Sequence, residues 1–284
     1  MKSYPLIRIC WYAINCLLIV SFVAVLYGIE WEYSTRIFLR GFSDAIIPTS
    51  DSPEQKAESI LAWIAEGPAR RSTSNLATLS QRDPEDTLNF QQLLRVCGTA
   101  TNAFVNLSES AGLRSRRLLL LDQNQKSKHV VAEVYVGDRW IVVDPAYHTV
   151  FRRSDGRLVT QSDLRSPQVF QEATRVIPNY PQSYTYESTV HVRLGRIPII
   201  GRHLRGFLNA IWPSWEESIN WTLLVERESF SMLMVSCVFL CFAVALRFLF
   251  AWYCSSRLGI PRDRMRDQIM RVSHALAGSP NNIV

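Results

Sequence analysis

The chain has 284 residues, 48% hydrophobic and 20% charged, a balance that excludes a largely disordered polymer. Basic residues outnumber acidic ones, for a net charge of +6 and a pI near 9.1. Much of that excess flanks apolar segments or lies in the C-terminal tail without a nucleic-acid motif, so no nucleic acid is expected as partner.

Ile9 to Ile29 is a nearly unbroken apolar run, interrupted by Asn15 and Ser21, with the length a helix needs to cross a bilayer. A cleaved signal peptide is the competing reading. The run exceeds the roughly 7–15 residues of such a segment, and no small-residue cleavage site follows. Glu30, Trp31, Glu32 and Tyr33 read as an interfacial anchor, so a retained span over 9–29 is expected after a short terminus, 1–8.

A helix begins at Ser52-Pro53-Glu54-Gln55, where Ser52 and Gln55 form a capping box and Pro53 suits the first helical position. Ala57, Ile60, Leu61 and Ile64 recur at helical spacing until Gly67-Pro68. Ala69 to Asp86 is polar and reads as a loop. A short helical stretch around Asn89 to Arg95 leads to Cys97-Gly98. Ala100, Ala103, Phe104, Leu107 and Ala111 then share one helical face, with Gly112 as the stop. Cys97 therefore falls at the start of a core-packed helix.

Strands are predicted over Arg117–Leu121, His129–Val136 and Arg139–Val143, with Gly137-Asp138 as a tight hairpin turn and Pro145 as terminator. Helix, strand and hairpin in this order predict an α+β domain, its antiparallel sheet packed on the cysteine helix. Farther on, Arg193, Arg196, Arg202 and Arg205 alternate with Ile197, Ile199, Ile200, Leu204 and Phe207, and Trp212, Trp215 and Trp221 follow. Two readings fit residues 186–228: a juxtamembrane amphipathic segment on the lipid surface, or a helix covering the domain core.

Phe230 to Tyr253 is a second apolar run, so a second span is expected over 229–253, followed by a basic tail, 254–284. A buried core helix is the alternative. Lys2 and Arg8 precede the first span, and Arg257, Arg262, Arg264, Arg266 and Arg271 follow the second. The positive-inside rule then puts both termini in the cytoplasm and the intervening domain outside the inner membrane.

Five of the six cysteines, Cys10, Cys16, Cys237, Cys241 and Cys254, lie in or beside the apolar runs. Cys97 alone belongs to the intervening domain, which rules out a disulfide framework or a cysteine-rich zinc site there. It reads either as a buried small hydrophobe or as a nucleophile whose thiolate is favoured by the helix start. With Gly137-Asp138 as the turn, Val136 faces Arg139 and Tyr135 faces Trp140. His129, Val131, Glu133, Val142 and Asp144 then share one face. His129 and Asp144 become diagonal neighbours, as a general base and its orienting carboxylate require, whereas a one-residue slip would separate them. Taken singly, His129 reads equally as a surface histidine and Asp144 as a turn residue. His148, His191, His203 and His274 lack ligand spacing, so no metal or other cofactor is expected.

Cys97-Gly98, Ala111-Gly112-Leu113-Arg114-Ser115-Arg116, His129-Val130-Val131-Ala132-Glu133-Val134-Tyr135 and Arg139-Trp140-Ile141-Val142-Val143-Asp144-Pro145 resemble the transglutaminase-like superfamily core, of the membrane-anchored bacterial type. The resemblance extends from Asp51 to Phe151 and includes the upstream helix with Trp63. It implies a papain-like domain over 30–185, with its core at 51–151, inserted between the two transmembrane helices. It further implies Cys97 as nucleophile, His129 as base and then acid, and Asp144 as orienting carboxylate. Gln91, at the papain-like spacing, is the candidate oxyanion donor, although Gln92 and Asn89 lie close by. Trp140 is a candidate substrate residue, and Glu133 matches a recurrent family position. The expected activity is attack on a peptide, protein or glutamine-type amide through a thioester, with hydrolysis favoured over cross-linking. The alternative is a non-catalytic binding module assisting cell-envelope polymer assembly or export with a partner protein.

Overall fold

The computed structural model describes residues 5–48, 52–66, 70–72, 75–192, 201–213, 215–218 and 221–258. The chain divides into two compact units, one formed by Met1–Ile29 with Leu233–Val284, the other by Glu30–Met232.

The first unit contains the apolar parts of two long helices, α1 (Pro5–Ile46) and α10 (Glu228–Arg257). Both are long and apolar enough to cross a membrane, with mean hydropathies of 2.4 and 2.5 over their most apolar windows. Only 17% and 11% of those windows is buried, which disfavours the core-helix alternative. The helices approach closely at Gly28, where an added Cβ would stand 3.0 Å from Leu233 Cα. Near the other end the Arg247 guanidinium lies 4.4 Å above the Trp11 ring. The helix does not stop at Ile29. It runs on to Ile46 because Leu39 and Ile47, with Phe38, Phe42 and Ile46, supply an apolar stripe that joins the core of the second unit.

In the second unit α2 (Pro53–Glu66) starts on the expected capping box. Ser52 N donates to Gln55 Oε1 (2.8 Å) and Gln55 N donates to Ser52 Oγ (3.3 Å). Ala57, Ile60, Leu61 and Ile64 are its buried face; Gly67-Pro68 lies outside the described residues. The expected loop over 69–86 contains a 3-10 turn (Leu76–Thr78) and the start of α3 (Pro84–Asn89). The polar composition hid an N-terminal signal there: Asp83 accepts from Glu85 N at 2.9 Å, and Pro84 occupies the first turn. Phe90 is extended and separates α3 from α4 (Gln91–Leu94), so the helical stretch expected at 89–95 is broken.

The next helix, α5 (Cys97–Ser110), is buried on every side from Thr99 to Ser108, where a single apolar face was expected. It ends in a Schellman arrangement: Leu113 N donates to Ser108 O (2.9 Å), Gly112 N to Glu109 O (3.1 Å), and Gly112 has φ +77. Five antiparallel strands follow, β1 (Ser115–Leu121), β2 (Ser127–Val136), β3 (Arg139–Asp144), β4 (Thr149–Val150) and β5 (Thr189–Val190). Their order in the sheet is β4-β3-β2-β1-β5. The hairpin register is the expected one, Val136 opposite Arg139 and Tyr135 opposite Trp140.

Both faces of the sheet are covered. Ala132, Val134, Ile141 and Val143 pack with α5 and α2. Leu118, Leu120, Val131 and Val142 pack with Phe151, Val159, Leu164, Phe170, Tyr180 and Tyr186, from the chain through α6 (Pro167–Thr174). The domain also reaches beyond the expected boundary at 185: β5 joins the sheet at 189–190, and Thr222 Oγ1 accepts from Arg117 N at 2.8 Å. Thr222 belongs to α9 (Trp221–Glu226), which follows α7 (Gly201–Ile211) and α8 (Trp215–Ser218). Residues 193–200 and the tail beyond 258 lie outside the described residues, as do the side chains of Arg202, His203, Leu204 and Arg205.

Candidate active site

Two strands of one hairpin and the first residue of α5 build the site. His129 lies near the start of β2 and Asp144 closes β3; the hairpin register puts them on the same face. His129 Nε2 is 2.7 Å from Asp144 Oδ2, with the histidine 2% exposed and the aspartate fully buried. An ionised carboxylate only accepts, so Nε2 carries the proton and Nδ1 is left for Cys97. The Cys97 thiol is hydrogen-bonded to His129 and also receives the backbone amides of Gly98 and Val130. Thr101 Oγ1, one turn into α5, donates to Val130 O at 3.1 Å and helps fix the helix against β2. The three residues singled out in the sequence therefore converge, with half-buried Cys97 as the accessible member.

The electrostatics favour the charged pair. The bond to His129 does most to hold the Cys97 thiol below its ordinary value; burial opposes, and the imidazolium charge and the two amides assist. Burial alone would push His129 down. Its bonds to Asp144 and Cys97, and their charges, outweigh burial and raise the imidazole to about 9. Each charge of the pair thus favours the other.

Tyrosines complete the site, and the sequence reading missed them. Tyr180 donates its hydroxyl to Asp144 Oδ2 (3.0 Å), the oxygen that His129 also uses. Ala146 N and Tyr147 N donate to Oδ1 at 3.0 and 3.3 Å. The carboxylate thus has four donors, as a fully buried charge requires. Tyr184 stacks on the imidazole, and Tyr147 meets it edge-on at 6.0 Å. Burial raises the pKa of Tyr180 far above the usual phenol range, keeping its hydroxyl protonated as a donor. The cluster of Pro, Asn and Tyr at 178–186 was the available signal, but nothing in its spacing points to residue 144.

Gln91 opens α4 with an exposed side chain and its backbone N–H donating to Arg71 O at 3.3 Å, while Gln92 Nε2 donates to Ser72 Oγ at 2.7 Å. Trp140 shares a strand face with Asp144 but is four residues away, about 13 Å along β3. It packs under Arg116 (4.0 Å to the ring) and beside Tyr135 (5.3 Å), a structural position at the hairpin end. Glu133, 2% exposed, is held by Arg116 Nε at 2.7 Å and by His191 Nε2 at 2.9 Å. Among the described residues no group of three or more His, Cys, Asp or Glu could hold a metal ion.

A helix-borne cysteine bonded to a histidine and aspartate on the adjoining antiparallel sheet defines the papain-like class of α+β domain. Residues 40–145 match the family model of the transglutaminase-like superfamily, and this part of the chain is a transglutaminase-like domain flanked by the two membrane-length helices. The match includes Cys97, His129 and Asp144; Tyr147, Tyr180 and Tyr184 lie beyond it. No curated protein and no solved structure matches the chain. Domains of this superfamily are typically cysteine enzymes.

Proposed function

We propose that the protein is a membrane-anchored cysteine enzyme that attacks an amide of a peptide or protein and resolves the thioester with water. The observation that carries this reading is His129 bonded on one side to Asp144 and on the other to the accessible Cys97 thiol. The Cys97 sulfur attacks the carbonyl carbon, and the C=O electron pair moves onto oxygen. The backbone amide of Cys97 and one further donor stabilise that oxyanion. His129 then passes its proton to the amide nitrogen as the C–N bond breaks, releasing the amine and leaving a thioester on Cys97. His129, now neutral, takes a proton from water. The resulting hydroxide adds to the thioester, and the carboxylic acid departs as the thiolate re-forms. Asp144 holds the imidazole in the orientation both half-reactions need.

The arginine-rich flanks support a two-pass topology with the domain outside the inner membrane, where cell-envelope peptides and their assembly partners would be accessible. The half-buried thiol favours an enzyme over a non-catalytic binding module, since a purely packing cysteine would be enclosed. Intact cells or spheroplasts exposed to a membrane-impermeant thiol-directed probe test both parts. Labelling that is lost in Cys97→Ala and sharply reduced in His129→Ala is expected. Labelling indifferent to His129 would leave only an exposed thiol, and labelling confined to lysed cells would overturn the topology.

A further inference from the structure

Among its described side chains, the amphipathic helix α7 is seated through Leu208 and Asn209. Leu208 packs, half-buried, against Val192, Trp215 and Trp221. Trp215, 1% exposed, donates from Nε1 to Asn209 Oδ1 (2.8 Å), and Trp221 Nε1 donates to Trp215 O (2.9 Å). This small core is linked to the sheet by His191, whose ring lies between Glu133 and Glu216. Yet Phe207, Ile211 and Trp212 remain 61%, 67% and 43% exposed. Residues 207 and 211 are one turn apart and share a helix face, and Trp212 follows directly.

We propose that Phe207, Ile211 and Trp212 form a lipid-docking surface that inserts at the headgroup–acyl boundary of the bilayer entered by α10. Bulky apolar residues backed by a tryptophan, on a helix anchored through the neighbouring Leu208 and Asn209, have the composition of an interfacial segment. The tether is short: α10 begins at Glu228, and the chain between Trp212 and that residue includes α8 and α9. Such a tether makes docking intramolecular, so a small apolar patch suffices where free association would need a large one. The surface is independent of the chemistry at Cys97 and stands or falls separately from it.

The test uses the full chain reconstituted in phosphatidylcholine–phosphatidylglycerol vesicles. The photoreactive residue p-benzoylphenylalanine replaces Phe207 or Ile211 in separate variants, and Val176, an 83% exposed apolar residue outside any amphipathic helix, in a control. All three side chains are exposed, so the fold is not at stake, and thermal unfolding of each variant verifies it. After illumination, lipid adducts at 207 and 211 are expected about tenfold above those at 176. Equal yields at the three positions, or adducts to a second copy of the chain in place of lipid at 207 and 211, would overturn the proposal.

Discussion

The Tyr184 ring lies flat against the His129 imidazole, with centroids 4.3 Å apart and planes 8° from parallel. This covers one face of the ring with π-density while the ring edge serves Asp144 and Cys97. An aromatic face over an imidazolium contributes about 1 kcal/mol, roughly a fivefold effect on its population. Tyr184→Phe keeps the face and should leave Cys97 alkylation at neutral pH nearly unchanged, whereas Tyr184→Ala should slow it by about fivefold. Equal rates in the two variants would show that the stacking does not bear on the pair.

The depressed thiol and the imidazole raised to about 9 define a pH window for the thiolate–imidazolium pair. Alkylation of Cys97 should persist well below the ordinary thiol range, and amide turnover should fall as pH rises through about 9, where His129 loses the proton for the leaving amine. In His129→Ala the thiol loses the bond and charge that do most to hold it down, while burial still pushes it up, so alkylation at pH 6.5 should drop by about 10–100-fold. Iodoacetamide kinetics across pH read this directly; a wild-type profile with one rise near 8.5 contradicts the pairing.

Tyr180 and His129 share Asp144 Oδ2. Removing the phenol hydroxyl in Tyr180→Phe should cost about 1–2 kcal/mol of stability. It should also leave the carboxylate less satisfied, tightening its hold on the imidazolium. The upper limb of the activity profile should therefore move to higher pH. Mere loosening of the site would lower activity without moving that limb, and a shift to lower pH would contradict the shared-oxygen account.

Glu32 on α1 and Arg227 before α10 form a buried ion pair at 3.0 Å, each side chain 5% exposed. Arg227 Nε also donates to Asn106 Oδ1 of α5 (2.7 Å), and Ser229 Oγ donates to Glu32 Oε2 (2.8 Å). Arg227→Met leaves the buried Glu32 carboxylate only Arg36 Nε (2.7 Å) and Ser229, and should cost about 1.5–3 kcal/mol, while Glu32→Leu with Arg227→Met should recover a substantial part. Denaturant unfolding in detergent measures the cycle. Additivity within about 0.5 kcal/mol would show the two charges to be uncoupled.

His191 is raised despite burial, which opposes, because Glu133 and Glu216 hold its charged form. A histidine raised on folding stabilises fully below its unfolded value near 6.5, and that stability is lost as pH rises through the folded value. His191→Gln should therefore destabilise more at pH 6 than at pH 9.5. The cost at pH 6 should be about 1 kcal/mol, since the ring is partly exposed. Thermal unfolding at the two pH values decides; an equal loss at both would mean that the ring contributes packing alone.

Where structure followed from neighbours in sequence, it was legible. The capping box at Ser52 and Gln55, the Gly112 helix stop and the Gly137 turn are each satisfied within a few residues. A tight turn also fixes the pairing of the strands it joins, so the diagonal contact of His129 with Asp144, fifteen residues apart, could be worked out by counting from Gly137-Asp138. Phe90 shows the limit of local patterning: its extended backbone breaks the helical stretch expected from Asn89 to Arg95, and no periodicity in the sequence marks the break.

Periodicity, capping and turn chemistry act over one or two turns of chain, so the two apolar helices, the cysteine at a helix start and the hairpin with its His–Asp pair could be read from residue order. It took the packed fold to show that Tyr180 and Tyr184 close the site, that Trp140 stays at the hairpin end, and that Glu32 meets Arg227 across 195 residues. Such contacts arise when burying apolar faces forces a buried carboxylate to find donors wherever the packed chain supplies them, and that choice leaves no periodic trace in sequence.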